Sequence, residues 1–351
     1  MDNLHYRYFS DINLNDPFFD TLKHDYVEFS DWFTRKSQAN EAAYLLTTNT
    51  GSVDGFMYLK TETGCVNDTN PPLPNGTHLK VGTFKFNSQG TRRGERFLKK
   101  IFDYAIEYNV DDIYVTVFSK HAHLVKLFGK YGFVINGKKI TTNGEELCLV
   151  RNMRMLQYSP ALDYPLIDTR IAQPHILGIK PIYHTRLFPD SILDNENTRI
   201  IEDVSHTNSI HKIYICSMHQ VATFKPGDPI VIYRTNDGNG YARHRSVATS
   251  ICVFEEYRSV YSFNTKEEFI EYCQSYSIFP ISELSHIYDN KKYVHIIKFS
   301  YNVALRKRIT RQTLMDTVNL YSNYWGCFSI SPQQFLHIAQ LGQINESLII
   351  N

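Results

Sequence analysis

Over the first 155 residues the apolar positions switch repeatedly between two periods. Residues 4–9 alternate as a strand does. Asp16-Pro17 marks a helix start, with Asp at the N-cap and Pro at the first helical position. Phe18, Leu22, Tyr26, Phe29 and Phe33 then recur at helical spacing. Residues 42–48 and 56–62 predict strands joined by a turn around Gly51 and Gly55, and residues 78–86 predict another. A helix over 95–109, a strand over 112–118 and a helix over 123–132 follow. A strand beginning at Phe133 and a closing strand over 147–153 end the series. The predicted order is β-α-β-β-β-α-β-α-β-β.

The pattern changes after Arg154. Pro160, Pro165, Pro174, Pro181 and Pro189 interrupt any long element, so residues 156–210 are expected to form a connector. From residue 211 short strands dominate, at 212–218, 229–235, 247–257 and 294–301. Short helices intervene at 266–275, 311–318 and 331–341. Many short strands with few helices predict a small β-barrel. Turn formers mark loops at 67–76 and 235–240. The chain thus divides into a domain over 1–155, a connector over 156–210 and a domain over 211–351.

Composition narrows the class. At roughly 100–200 residues per domain, 351 residues favour two domains. With 42% hydrophobic and 21% charged residues the chain is an ordinary globular one, not collagen, a coiled-coil rod or a disordered chain. Lys+Arg number 37 and Asp+Glu 36, which excludes a protein coating nucleic acid by bulk charge but leaves room for a local basic patch. No apolar run approaches the roughly 20 residues that cross a bilayer, so no membrane association is expected. The first residues lack the basic and apolar regions of a secretory signal. Six cysteines without a CxxC pair read as reduced, mostly buried thiols of a cytoplasmic protein, and no metal site is expected. The 24 Tyr and 22 Phe read first as packing.

The segment from Phe84 to Leu98 carries the first candidate chemistry. A strand ends, Gln89-Gly90-Thr91-Arg92-Arg93-Gly94 turns, and an amphipathic helix starts at once with Glu95. Helix N-termini offer unpaired N–H groups and a positive dipole end, and glycine lets backbone approach a phosphate closely. Arg92 and Arg93 add positive charge there. On its residues alone the stretch also reads as a βα connection with a solvated basic turn.

This stretch resembles the acyl-CoA-binding signature of the GNAT acetyltransferase superfamily, Gln/Arg-x-x-Gly-x-Gly/Ala between a strand and a helix. Gln89 and Gly94 match, and Arg92 stands at the central glycine. Tyr114 to Phe118, then Lys120-His121, then Leu127 to Phe133 resemble the family's strand, helix and YGF segment. The element order agrees as well. The resemblance implies a GNAT fold, an α/β (α+β) arrangement with a mixed central sheet and flanking helices. It also implies acetyl-CoA as the cofactor. Residues 79–86 would splay from 112–118, with Thr83, Phe84, Lys85, Phe86, residues 89–95 and Phe128 at the cofactor. An N–H between Thr83 and Phe86 would polarise the thioester carbonyl.

The family's general acid is a tyrosine whose position here is Phe128, and phenylalanine cannot protonate a thiolate. Tyr131, His121 and His123 are the nearby replacements, with Tyr131 and His121 the catalytic candidates. Tyr131 also reads as a core residue, and His121 as a helix cap or a CoA contact. No carboxylate sits on 79–86, where some relatives place a base.

In the second domain, Phe224-Lys225-Pro226-Gly227-Asp228-Pro229 leads into an alternating strand, with Tyr241 to Ser246 and Tyr324-Trp325-Gly326 later. The run is similar to the PUA/ASCH/EVE group of small β-barrels, whose members often bind RNA or modified bases. Residues 211–351 hold 14 Lys+Arg against 11 Asp+Glu. Arg306-Lys307-Arg308 and Arg243-His244-Arg245 are basic clusters suited to phosphates. The nucleic-acid candidates are Tyr233, Arg234, Arg243, Arg245, Arg306, Arg308 and Trp325, with Tyr233 or Trp325 stacking on a base. Basic triplets also read as solvated turns, and a lone Trp as core.

The expected function is an acetyl-CoA-dependent N-acetyltransferase whose barrel recruits an RNA or aminoacyl-tRNA amine. Some GNAT proteins are toxins of this kind. The alternatives are a non-enzymatic nucleic-acid binder with a degenerate GNAT domain, and a protein or small-molecule acetyltransferase whose barrel supports a homodimer.

Overall fold

A computed structural model describes residues 4–48, 50–87, 93–191 and 209–351. The chain divides into two compact units, Met1–Met155 and Leu156–Asn351.

The first unit is a seven-stranded sheet with helices on it. Its strands are β1 (Leu4–Tyr8), β2 (Ala42–Thr47), β3 (Val53–Val66), β4 (Leu73–Phe86), β5 (Asp112–Phe118), β6 (Val134–Thr141) and β7 (Gly144–Asn152). They lie in the order β1-β2-β3-β4-β5-β7-β6. β4–β5 is parallel and the other pairs are antiparallel, so the sheet is mixed. The helices are α1 (Asp20–Asp25), α2 (Phe29–Gln38), α3 (Arg93–Glu107) and α4 (Ala122–Gly129). On α3 the side chains of Phe97, Leu98, Ile101, Phe102 and Ala105 are buried, a stripe at helical spacing. Each large member contributes about 1.5–3 kcal/mol by leaving water. The sheet takes the helix closely at Gly55, where a Cβ would lie 2.6 Å from the Phe97 ring. Phe9, Phe19, Phe33, Phe56 and Tyr58 fill the core under α2 with edge-to-face contacts.

Two features depart from the sequence pattern. The expected single helix from Asp16 is broken. Asp16 accepts from the Phe18 N–H as predicted, but α1 ends at Asp25 and α2 starts at Phe29. Tyr26, at the break, still packs against the cluster that Phe18, Phe29 and Phe33 form. The β3–β4 hairpin is also longer than its apolar core suggested. β4 begins at Leu73, inside the expected loop, and Asn70 bridges to Lys138 of β6.

The second unit begins with α5 (Pro160–Asp163), β8 (Ile167–Asp168), β9 (His175–Ile179) and α6 (Pro181–Leu187). It continues with β10 (His211–Cys216), β11 (Pro229–Arg234), α7 (Ala242–Arg245), β12 (Val247–Ser259), α8 (Lys266–Gln274) and α9 (Ile281–Asn290). β13 (His295–Thr310), α10 (Arg311–Asp316), β14 (Cys327–Ser329), α11 (Pro332–Leu341) and β15 (Ile349–Ile350) complete it. Six strands pair in the order β10-β13-β12-β11-β9-β14, and β8 pairs with β15. The central strand β11 is buried throughout. Ile230 and Ile232 face one core, and Val231 and Tyr233 the other.

Two expectations are corrected here. Among the described residues β10 and β14 stand at opposite ends of the sheet with no pairing between them, so a closed barrel is not what the strands form. Of the stretch expected as a connector, residues 192–208 lie outside the described residues, and the described part carries elements of the second unit. β9 is an inner strand, parallel to β11, and α6 carries Pro181 at its first position, where proline fits a helix. The prolines bound elements rather than breaking them. Cys148, Cys216, Cys252, Cys273 and Cys327 are buried free thiols, and Cys65 is exposed. No helix among the described residues is long and apolar enough to cross a membrane.

Candidate functional site

The parallel pair β4–β5 runs from His78 opposite Asp112 to Val81 opposite Val115, and there the pairing stops. The cause lies one residue on. Tyr58 of β3 faces Thr83 and Leu59 faces Val81, so Gly82 is the extra residue of a β-bulge. A Cβ at Gly82 would lie 2.8 Å from the Tyr58 ring, which makes glycine the residue that fits. A bulge bends its strand, and β4 leaves β5 at this point.

A cavity of about 930 Å³ fills the wedge. Thr83, Phe84, Lys85 and Phe86 line one side and Thr116 and Val117 the other. His121, His123, Leu124 and Phe128 come from α4 and the residue before it. Tyr26 and Glu28 come from the α1–α2 link, and Lys139, Thr141, Asn143 and Glu146 from β6, β7 and their turn.

The sequence candidates divide accordingly. Phe128 lines the cavity as a fully buried ring, 5.1 Å from Phe84 and 4.9 Å from Phe133 between centroids. Tyr131 does not reach the cavity. It is 1% exposed, packs toward Phe102, and is a core residue. His121 sits at the cavity edge with its Nε2 3.4 Å from an Asp25 oxygen and makes no side-chain cap bond. Gln89, Gly90, Thr91 and Arg92 lie outside the described residues, and Arg93 opens α3. Gly94 faces protein. A Cβ there would meet Leu127 at 2.7 Å and Phe86 at 2.9 Å, so a larger residue at 94 disturbs packing whatever else it does. Glu95 stands in the first turn of α3.

Charge around the cavity is largely paired. Lys85 donates to the Phe18 carbonyl and to Thr21, and burial lowers its pKa. Lys139 meets Asp68 at 2.6 Å and Lys120 meets Asp25 at 2.7 Å. Burial opposes ionisation of Asp25, but hydrogen bonds from Lys120 and His24 outweigh it and hold its pKa below the usual range. Two cavity carboxylates are held by neutral donors instead. Asn143 donates to both oxygens of Glu28, at 2.9 and 2.8 Å. The Tyr26 hydroxyl donates to Glu146 at 2.7 Å. Tyr26 stacks on Phe118, and burial followed by the Glu146 charge drives its pKa far upward. Sequence reasoning missed this pair. Tyr26 fell on an apolar stripe, and no local pattern links it to a residue 120 positions away.

In the second unit the proposed stacking residues are not available. Tyr233 and Trp325 pack on each other with centroids 5.0 Å apart, at 1% and 8% exposure. Arg311 lies over the Trp325 ring at 4.5 Å. Arg234 is buried, Arg308 donates to the carbonyls of Thr249 and Leu305, and Arg245 is held by Asp237. Arg243 and Arg306 are exposed. The residues just after the two basic triplets meet. The Arg311 N–H donates to Ser246 at 2.9 Å, and Val247 pairs with Thr310. Tyr241, 84% exposed just ahead of α7, is the accessible aromatic at this face. The unit also holds a buried hydroxyl chain, Tyr301–Ser191–Ser250–Thr249 to His184, with steps of 2.9, 2.9, 3.2 and 2.8 Å.

No protein-family model matches the chain, and no curated protein matches it. Solved structures do. The Campylobacter jejuni N-acetyltransferase PseH in complex with acetyl coenzyme A is 16% identical at a TM-score of 0.29, covering 42% of this chain and 98% of that one. The NatC complex bound to Gag peptide and CoA is 13% identical at 0.30, covering 42% and 97%. ZmASCH from Zymomonas mobilis is 6% identical at 0.32, covering 48% and 95%. The structures similar to this chain thus include N-acetyltransferases crystallised with acetyl-CoA or CoA, and an ASCH protein.

Proposed function

We propose that the first unit is an acetyl-CoA-dependent N-acetyltransferase. The observation that carries this reading is the parallel strand pair that opens after Val81 and Val115 onto a 930 Å³ cavity. An extended thioester arm fits such a wedge. Past Val81, β4 stays paired to β3 but not to β5, so the β5-facing side of Thr83 to Phe86 offers backbone for a ligand to bond to as a strand would. Acetyl-CoA supplies an activated acetyl group. An N–H of this stretch, aimed at the thioester oxygen, stabilises the charge that develops on it. Thr116 and Val117 form the opposing wall and hold the arm against β4. Positioning of two reactants in one wedge supplies much of the acceleration. His121, at the cavity edge, is a cofactor contact in this reading.

The acceptor is an amine, entering from the side of Tyr26, Glu28 and Asn143. For the second unit we propose an RNA-reading role that brings such an amine, on RNA or aminoacyl-tRNA. What supports it is the bond from Arg311 to Ser246, which joins the segments that follow the 243–245 and 306–308 triplets. Exposed Arg243 and Arg306 offer phosphate contacts, and exposed Tyr241 offers one stacking surface. The test is acetyl-CoA titration of wild type and of Thr116→Trp, which fills the wedge with an indole. Loss of affinity in the variant supports the reading. Absence of binding by the folded wild type moves the assignment to a non-enzymatic nucleic-acid binder.

A further inference from the structure

We infer that Glu146, reached through the Tyr26 hydroxyl, accepts the proton of the incoming amine. This rests on the acyl-transfer reading above. At neutral pH an alkylamine is an ammonium ion and cannot attack until it loses a proton. The four carboxylates lining the cavity are not equivalent. Asp20 bridges to Lys23 at 3.3 Å and faces solvent. Asp25 is committed to Lys120 and His121. Glu28 is exposed and held by Asn143, which lowers its proton affinity. Glu146 is 4% exposed, and its partner is a neutral phenol. Among the described residues its Oε2 takes no hydrogen bond.

The surroundings keep this arrangement in place. On β5 the residue opposite Glu146 is Phe118, on which Tyr26 stacks. On β6 it is Lys139, which is committed to Asp68. The other charged groups nearby are Asp25 and Glu28, both on the α1–α2 side, and Lys120, which lies over the Phe118 ring at 5.1 Å and is bound to Asp25. Burial and the Glu146 charge hold Tyr26 as a phenol, so it passes a proton on rather than storing charge.

The Tyr26 hydroxyl gives its proton to Glu146 Oε1 while taking one from the ammonium. The freed lone pair forms the N–C bond to the acetyl carbon. The C–S bond breaks with its electron pair on sulfur, and the second amine proton leaves with the sulfur as the free thiol. Glu146 returns its proton to solvent.

The experiment compares two nucleophiles with acetyl-CoA: n-butylamine, protonated at pH 7, and hydroxylamine, already neutral there. Glu146→Gln keeps the shape and the acceptor oxygen for Tyr26, and Tyr26→Phe is the second variant. Glu146→Gln should slow butylamine transfer by about 10²-fold at pH 7 and hydroxylamine transfer by no more than about threefold. The butylamine deficit should close as pH rises toward the amine's own pKa. Tyr26→Phe should show the same pattern more weakly, and calorimetry should give both variants wild-type acetyl-CoA affinity. Equal, pH-independent loss on both nucleophiles, or no loss on either, overturns this inference alone. A wild type that binds acetyl-CoA and transfers to neither nucleophile overturns the transferase reading and this inference with it.

Discussion

Val81 and Val115 are the last residues to face each other across β4 and β5, and the candidate chemistry of the first unit lies just past them. One inserted glycine, Gly82, produces the separation. Below it the two strands are tied by a buried His78–Asp112 pair, so the wedge opens from a fixed base.

His78 gives the first prediction. Its Nδ1 meets Asp112 at 2.8 Å, and its Nε2 meets the carbonyls of Gly64 and Pro74 at 2.9 and 3.0 Å. Carbonyls only accept, so Nε2 donates, and Nδ1 donates as well where Asp112 is ionised; burial raises the Asp112 pKa, and the His78 hydrogen bond and charge work against that rise. Burial works against the charge, but the Asp112 hydrogen bond and charge outweigh it and raise the His78 pKa. With a folded pKa above the unfolded value near 6.5, this stability is full below that pH and is lost as pH rises through the raised pKa. His78→Gln should cost about 3–5 kcal/mol at pH 6, because Asp112 stays buried without a cation. Denaturant unfolding of wild type and variant at pH 6 and pH 9 should show a smaller difference at the higher pH.

His184 predicts the opposite slope in the second unit. It is fully buried, and burial followed by the Arg234 and Arg308 charges pushes its pKa down to about 3. Above pH 6.5 it is neutral in both states. Below, the unfolded chain takes up a proton and the folded one does not, so stability falls by about 1.4 kcal/mol per pH unit until roughly pH 3. His184→Gln should flatten the acid limb of the unit's unfolding, followed by circular dichroism from pH 7 to pH 4. An unchanged limb would assign acid unfolding to other groups.

Much of the first unit is legible in the sequence because its elements are long and alternate in period. Residues 112–118 were read to the residue, and the helix of Phe97 to Ala105 within two. What escaped has physical causes. A strand and helix over 175–187 were hidden by prolines that sit at element boundaries, where proline costs nothing. Tyr233 and Trp325 carry the composition of a stacking surface, yet their rings fill a core. Gly82 was one glycine among seventeen until the register showed a bulge. The Tyr26–Glu146 bond joins opposite ends of the unit and leaves no local trace.

The basic face of the second unit gives a prediction that separates partners. Arg243→Glu with Arg306→Glu should weaken binding to a single-stranded RNA oligomer at least tenfold and flatten its salt dependence by about two phosphate contacts. Both side chains are exposed, so folding should be unaffected. Filter binding at several salt concentrations reads the slope. Wild-type affinity that ignores salt, or none, would remove RNA from the account.

The central claim is that the wedge past Val81 and Val115 seats acetyl-CoA. The direct measurement is calorimetric titration of wild type and Thr116→Trp with acetyl-CoA, with melting curves for both. The account predicts micromolar binding by wild type and at least a tenfold loss in an equally folded Thr116→Trp. Absence of binding by wild type, or undiminished binding by the variant, contradicts it.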